Sequence, residues 1–287
     1  MNNFRYGADR LTVHSALALT SGKLRGTISP RTRQRIDRSA AAVQRIVAKQ
    51  DVVYGINTGF GPLCETCISA EDTIRLQHNL LKSHAVGVGK PVPAPIAKTM
   101  MIIKAHALAQ GYSGVQLRTI ERIIWMVEQD IIPVVPEQGS VGASGDLAPL
   151  AHLFLPLIGL GEVYYKGEIV PTEEALGKQG IPPLTLGPKE GLALINGTQF
   201  IAAHAVHALS RMHNLLEAAD IVGALSLDGL MGSYKPFDVR LHRIRPFTGS
   251  QLVAHRLWEL LHRSEIANSH PDCGRVQDPY SLRCMPQ

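Results

Sequence analysis

A chain of 287 residues with 45% hydrophobic and 18% charged side chains has enough apolar material for a large core and too little charge for a disordered polymer. The net charge of +5, from 29 basic and 24 acidic residues, is dispersed in ones and twos, densest at Arg31–Arg38. That pattern fits solvated helix faces and argues against a nucleic-acid partner. With no run of the roughly eighteen apolar residues a membrane span needs, and no basic-then-apolar leader, a cytoplasmic location without a membrane partner is expected.

In chain order, Ile36, Val43, Ile46 and Val47 recur at helical intervals between Thr32 and Lys49 and predict an amphipathic helix. Ser69-Ala70-Glu71-Asp72 resembles a capping signal for a helix carrying Ile74, Leu81 and His84 on or near one inward face. Residues 95–110 open on a proline and stop at Gly111, and Ile120, Ile123, Ile124 and Val127 mark a further helix ended by Pro133 and Pro136. A fifth helix is expected from about Asp146, its N-cap, to Leu157, with Pro149 in its first turn.

GEVYYKGEIV alternates around Lys166-Gly167 and is the one convincing β-hairpin signal. Residues 198–230 are nearly free of helix breakers and predict a long helix, with Phe200, His204, His207, Leu215 and Val222 directed inward. A short helix near Asp238–Ile244, one from Thr248 to about Arg263, and a polar irregular tail complete the chain. Without internal repeats, the expected fold is mainly α. An N-terminal lobe (1–195), carrying the Tyr54 loop and the 139–146 loop, leads into the start of a long-helix bundle (196–287), with a small β-hairpin. Cys64, Cys67, Cys273 and Cys284 lack the second close pair of a structural zinc site, so no metal is expected and the thiols read as reduced.

The most informative stretch is GSVGASGDLAPLAH, Gly139–His152. A bare Ala-Ser-Gly would arise by chance in such a chain with a probability of roughly one in ten. If a tight turn brings the Gly145 nitrogen against the Ala143 carbonyl carbon, a five-membered ring closes, because glycine has no Cβ to obstruct it and alanine adds little bulk. Loss of water from the ring and from Ser144 then leaves an exocyclic methylene, an electrophile among a protein's nucleophiles. The alternative is a flexible glycine loop that only caps the following helix.

Four other segments accompany it: YGINTGFG (54–61), LKSHAVGVG (81–89), INGTQ (195–199) and VQDPYSLR (276–283). In their order and spacing, all five together resemble the aromatic amino acid ammonia-lyase family over nearly the whole chain. The resemblance implies a self-derived 4-methylidene-imidazol-5-one built from Ala143, Ser144 and Gly145, with no external cofactor. Asp146 either assists that cyclisation or serves only as a helix cap.

By the same resemblance Tyr54 is the catalytic tyrosine on a glycine-flanked loop. A phenol with a pKa near 10 is a poor base at neutral pH, so its site must stabilise the phenolate, or the ring merely packs. Arg283 matches the carboxylate anchor, a role suited to a two-pronged guanidinium. Asn196 matches the amide beside the prosthetic ring, and Gln277 and Tyr280 match pocket residues. Taken singly, each of these is an ordinary polar side chain.

Histidine-specific members carry Ser-His where this chain has Ser83-His84, and an imidazole hydrogen-bonds a substrate ring as an apolar side chain cannot. The resemblance therefore implies non-oxidative elimination of ammonia from L-histidine to give trans-urocanate, the first step of histidine degradation. Alternatives are a tyrosine or phenylalanine lyase or aminomutase of the same family, or an inactive fragment that only associates with longer subunits. Family members are homotetramers, and they continue past the VQDPYSLR motif through further helices.

Overall fold

Helices dominate, and short strands tie their ends together. The structure, a computed structural model, describes residues 3–49, 52–53, 55–58, 68, 70–143, 145–272 and 274–287. The chain divides into two compact units, Met1–Ala208 and Leu209–Gln287, each with its own apolar core.

In the first unit, β1 (Phe4–Arg5) runs parallel to β2 (Gly26–Thr27), with α1 (Val13–Thr20) between them in sequence. The start of α1 is fixed reciprocally. The Ser15 backbone N–H donates to the Thr12 hydroxyl and the Thr12 N–H to the Ser15 hydroxyl. The predicted amphipathic helix is α2 (Pro30–Lys49), which buries Ile36 and Val43.

In α3 (Ala70–His84) the inward stripe is Thr73, Gln77 and Leu81, each fully buried. Because those three repeat every four residues, Ile74 is rotated about 100° from them. Ile74 was expected on the inward face and is instead exposed. Next come β3 (Val88–Pro91) and α4 (Ala94–Leu108), then α5 (Leu117–Glu128), β4 (Ile132–Pro133) and β5 (Pro136–Gln138). Helix α4 is buried along much of its length, enclosing Ala97, Met100, Met101, Ile102, Lys104, Ala105 and Leu108. Ile120, Ile123, Ile124 and Val127 of α5 are buried as the periodicity predicts.

The glycine-rich stretch feeds α6 (Leu147–Phe154), which tightens into a 3₁₀ turn at Leu155–Ile158 around Pro156. The predicted hairpin forms between β6 (Glu162–Tyr165) and β7 (Glu168–Pro171), and β4 adds a third antiparallel strand. Its turn residues Lys166 and Gly167 both have positive φ, +53° and +90°, the twist that two-residue hairpin turns require. The pairs β1–β2 and antiparallel β3–β5 were not anticipated, since strands of two to four residues carry too few side chains to reveal a period. Helices α7 (Thr172–Lys178), α8 (Glu190–Ile195) and α9 (Gln199–Gly229) follow. The division between units falls inside α9.

The inward face predicted for α9 needs correction. Phe200 and His207 are half-buried and His204 is exposed, while Leu215 and Val222 are 66% and 61% exposed. Periodicity marks which side of a helix is apolar, not whether another element covers it. A stretch of 18 residues within Glu190–Gly229 averages a mean hydropathy of 1.2, enough by length and composition alone to cross a membrane, although polar residues such as Asn196, Gln199 and His204 leave no unbroken apolar run.

The second unit packs Leu227 against Phe237, Ala254, Leu257, Leu261 and Leu282. After a 3₁₀ turn at Lys235–Phe237 come α10 (Val239–Arg243), α11 (Thr248–Leu261), α12 (Glu265–Asn268) and α13 (Tyr280–Arg283). The region expected as an irregular tail thus contains two single-turn helices, the first capped by the Ser264 hydroxyl.

Candidate active site

The glycine-rich stretch is anchored through Asp146. Its carboxylate is fully buried and accepts three hydrogen bonds. The Ser140 hydroxyl donates to Oδ1 at 2.7 Å, and the Phe200 and Ile201 backbone N–H groups donate to Oδ2 at 2.9 and 3.1 Å. Phe200 and Ile201 belong to the first turn of α9, whose leading N–H groups have no partner within their own helix. Asp146 stands at the N-cap position of α6 but makes no side-chain cap there. It caps α9 instead, 54 residues along the chain.

Backbone contacts lock the same junction. The Asp146 N–H donates to the Gly197 carbonyl at 2.7 Å. Gly145 has φ +102°, and a Cβ there would lie 2.5 Å from that carbonyl oxygen. Both the left-handed conformation and the close approach demand glycine. Ala143, two residues earlier, is exposed.

Residues 196–201 thus form a strap over Gly145 and Asp146, and Lys104 holds it from α4. Lys104 is 2% exposed, its Nζ donates to the Asn196 carbonyl at 2.7 Å, and burial lowers its pKa to about 7. The Asn196 side chain stands on an exposed residue at the C-cap of α8.

His84 ends α3 half-buried. Its Nδ1 is 2.9 Å from the Leu80 carbonyl oxygen and 3.1 Å from the Ser83 hydroxyl. An Nδ1–H donated to Leu80 leaves the lone pair on Nε2. Just beyond, the Gly87 N–H donates to His152 Nε2 at 3.0 Å, tying the segment after His84 to α6. Burial lowers the His152 pKa, which keeps Nε2 an acceptor.

In the second unit, Gln277 borders a cleft of about 360 Å³ together with Lys235, Asn268, His270, Arg275 and Asp278. Asp278 is buried and its carboxylate accepts the Ser233 N–H at 2.6 Å. Tyr280 and Arg283 lie outside the lining of that cleft. The Arg283 guanidinium stacks over the Tyr280 ring at 4.1 Å, and its Nε donates to the Asp278 carbonyl at 2.9 Å.

The structure therefore brings Gly145, Asp146 and the Asn196–Gly197 backbone together in one unit, and in the other stacks Arg283 on Tyr280, with Gln277 on a cleft that neither of them lines. Tyr54 and Ser144 lie outside the described residues, as do Cys64, Cys67, Cys273 and the Ser69 of the capping signal. Ser140, Lys104, His152 and Gly197 had no assigned part in the sequence reading. Lys104 had one available signal, a cation within MMIIKAHALA, where a helix buried on most sides would otherwise be apolar.

Solved structures share this fold. Histidine ammonia-lyase from Trypanosoma cruzi superposes with a TM-score of 0.88 at 36% identity, covering 100% of this chain and 53% of that one. A phenylalanine aminomutase from Pantoea agglomerans gives 0.90 at 30% identity, over 99% of this chain and 58% of the other. The fold is thus that of helical ammonia-lyases and aminomutases. A sequence profile of the aromatic amino acid lyases matches residues 11–287, and the chain belongs to that family. Among curated relatives, histidine ammonia-lyase from Myxococcus xanthus is 46% identical over 97% of this chain and 55% of its own length. The same enzyme from Streptococcus pyogenes serotype M1 is 44% identical, over 97% and 54%. The chain spans about half the length of the curated relatives it matches.

Proposed function

We propose that the protein acts as a histidine ammonia-lyase, eliminating ammonia from L-histidine without oxidation to give trans-urocanate. The observation that carries this reading is the clamp on Gly145, with φ +102° beneath the Gly197 carbonyl and the next residue, Asp146, tied to α9. Relatives at 44–46% identity are named for the same activity.

The clamp supports a methylidene-imidazolone formed from Ala143, Ser144 and Gly145. Such a ring needs a residue 145 without a Cβ and with its backbone held in place; Gly145 lacks a Cβ, and its φ of +102° is fixed beneath the Gly197 carbonyl. In its formation the Gly145 nitrogen bonds the Ala143 carbonyl carbon. The carbonyl oxygen leaves as water with the Gly145 and Ser144 amide hydrogens, and the Ser144 hydroxyl leaves as a second water with the Ser144 α-hydrogen. Once formed, the group supplies an electrophile that draws electron density from a bound amino acid.

The chain's own residues do the rest. Tyr54, as phenolate, takes the substrate β-proton on its oxygen. His84 recognises the imidazole through Nε2, the nitrogen left free to accept when Nδ1–H binds the Leu80 carbonyl. Arg283 holds the substrate carboxylate, while Asn196, Gln277 and Tyr280 orient the amino-acid end. Asp146 fixes the loop against α9, and any part in the cyclisation comes in addition to that anchorage. An acceptor at His84 favours histidine over phenylalanine, whose ring offers no donor to meet it. We further propose that the protein works in the cytoplasm as a homotetramer. The exposed apolar residues Leu215, Val222 and Leu225 on α9 support a covered surface in the assembly.

The test has two parts. Urocanate absorbance is followed after L-histidine is added, and the 143–145 peptide is weighed by mass spectrometry. The reading expects turnover together with a mass deficit of two waters, both abolished in a folded Ser144→Ala variant. Full turnover by that variant sinks the mechanism.

A further inference from the structure

A buried cation ordinarily faces a carboxylate, because removing a charge from water without a counter-charge is costly. Lys104 breaks that pattern. It is 2% exposed on α4, only burial shifts its titration, and among the described residues its Nζ has one hydrogen bond, to the Asn196 carbonyl at 2.7 Å. A leucine or methionine would fill the same space without that cost, so packing alone does not account for a lysine.

The bond falls one peptide before the clamp. Asn196 ends α8, and Gly197, at φ +150°, has a wide choice of backbone conformations. Yet the Gly197 carbonyl must stay over Gly145 and accept the Asp146 N–H at 2.7 Å, while Phe200 and Ile201 reach Asp146 Oδ2. Asp146 holds the far side of the strap. On the near side the Asn196 peptide would be free to rotate about Gly197 without Lys104.

We propose that Lys104 is a positioning residue for backbone cyclisation: by tethering the Asn196 carbonyl it holds the Gly197 carbonyl over Gly145 and keeps Gly145 in the conformation from which the ring closes. This rests on the reading of Ala143-Ser144-Gly145 as the ring precursor and extends it to a residue outside every motif that identified the family. Lys104 gains and loses no atom in the process. It acts through the strap, ahead of any encounter with substrate.

The experiment uses the full chain and reads maturation rather than turnover. Lys104→Met keeps the straight apolar stem and removes the donor. Newly synthesised protein is sampled over time, its folded fraction is isolated by size exclusion, and the 143–145 peptide is weighed. Displacing a reacting group by about 1 Å can cost on the order of a hundredfold in rate, so conversion to the doubly dehydrated form is expected to slow by about ten- to a hundredfold. Ile102→Ala, which empties a buried site on the same helix, controls for loss of stability and is expected to mature at the wild-type rate.

If Lys104→Met does not fold, Lys104→Gln takes its place, since its shorter side chain stops short of the Asn196 carbonyl while remaining polar. Slow maturation in a folded variant, with the Ile102→Ala control unaffected, supports the proposal. Wild-type maturation in either folded variant, or equal slowing in the control, overturns it. If the wild-type peptide itself keeps both waters, the prosthetic-group reading fails first and this proposal with it.

Discussion

Replacing Asp146 with alanine tests whether the two stretches of chain are held together as described. The substitution leaves the Phe200 and Ile201 N–H groups, now bonded at 2.9 and 3.1 Å, without an acceptor at the part-buried start of α9. The Ser140 hydroxyl can rotate to another partner and adds little. A donor stranded at a fully buried site costs about 1–3 kcal/mol; at about 1–2 kcal/mol each in this part-buried turn, the two together predict a loss of about 2–4 kcal/mol, above the usual ~1 kcal/mol for a surface cap. At roughly 2–4 °C per kcal/mol for a domain of this size, the melting temperature should fall by about 5–15 °C. Asp146→Asn, with its one acceptor oxygen turned to the position that meets both N–H groups, keeps both bonds without the charge and should lose less than half as much.

Urea titration followed by far-UV circular dichroism gives the global loss. Amide hydrogen exchange at Phe200 and Ile201 reports whether the first turn of α9 opens before the rest. If Asp146→Ala stays within about 0.5 kcal/mol of wild type with both amides still protected, the carboxylate is not the cap of α9. Its burial would then have to be explained by chemistry alone.

Gly145→Ala should destabilise by about 2–4 kcal/mol, combining a positive-φ penalty with overlap against the Gly197 carbonyl; thermal melting that matches wild type, with a complete two-water deficit, contradicts the clamp. Lys104 has its pKa depressed by burial from 10.5 to about 7, so its folding contribution is fully present above the unfolded value and is lost as pH falls through the folded one. Wild type should therefore gain stability relative to Lys104→Met between about pH 7 and pH 10, by on the order of 5 kcal/mol at full extent; parallel urea midpoints for the two proteins across that range would refute the burial argument. His84→Leu should shift the ratio of kcat/KM for histidine over phenylalanine towards phenylalanine by at least about tenfold, and an unchanged ratio removes His84 from substrate choice.

Much of this protein is written in short-range pattern. The spacing of Ile36 and Val43, of Ile120, Ile123 and Val127, and the Lys166-Gly167 turn specify helix and hairpin because each signal involves neighbours within a turn or a strand pair. The five motifs, read in order, carry the family, although the placement of Tyr54 and Ser144 lies outside the described residues. What sequence could not supply was partnership at a distance. The same aspartate is an equally good cap for the helix that follows it and for one 54 residues away, and only packing decided for the second. Lys104 finds its acceptor 92 residues on, and His152 meets Gly87 across 65. Whether an apolar stripe is covered, as in α5, or left open, as at Leu215 and Val222, likewise depends on what stands opposite. A buried polar group must find a partner wherever the folded backbone offers one, and that choice is made only when distant segments meet.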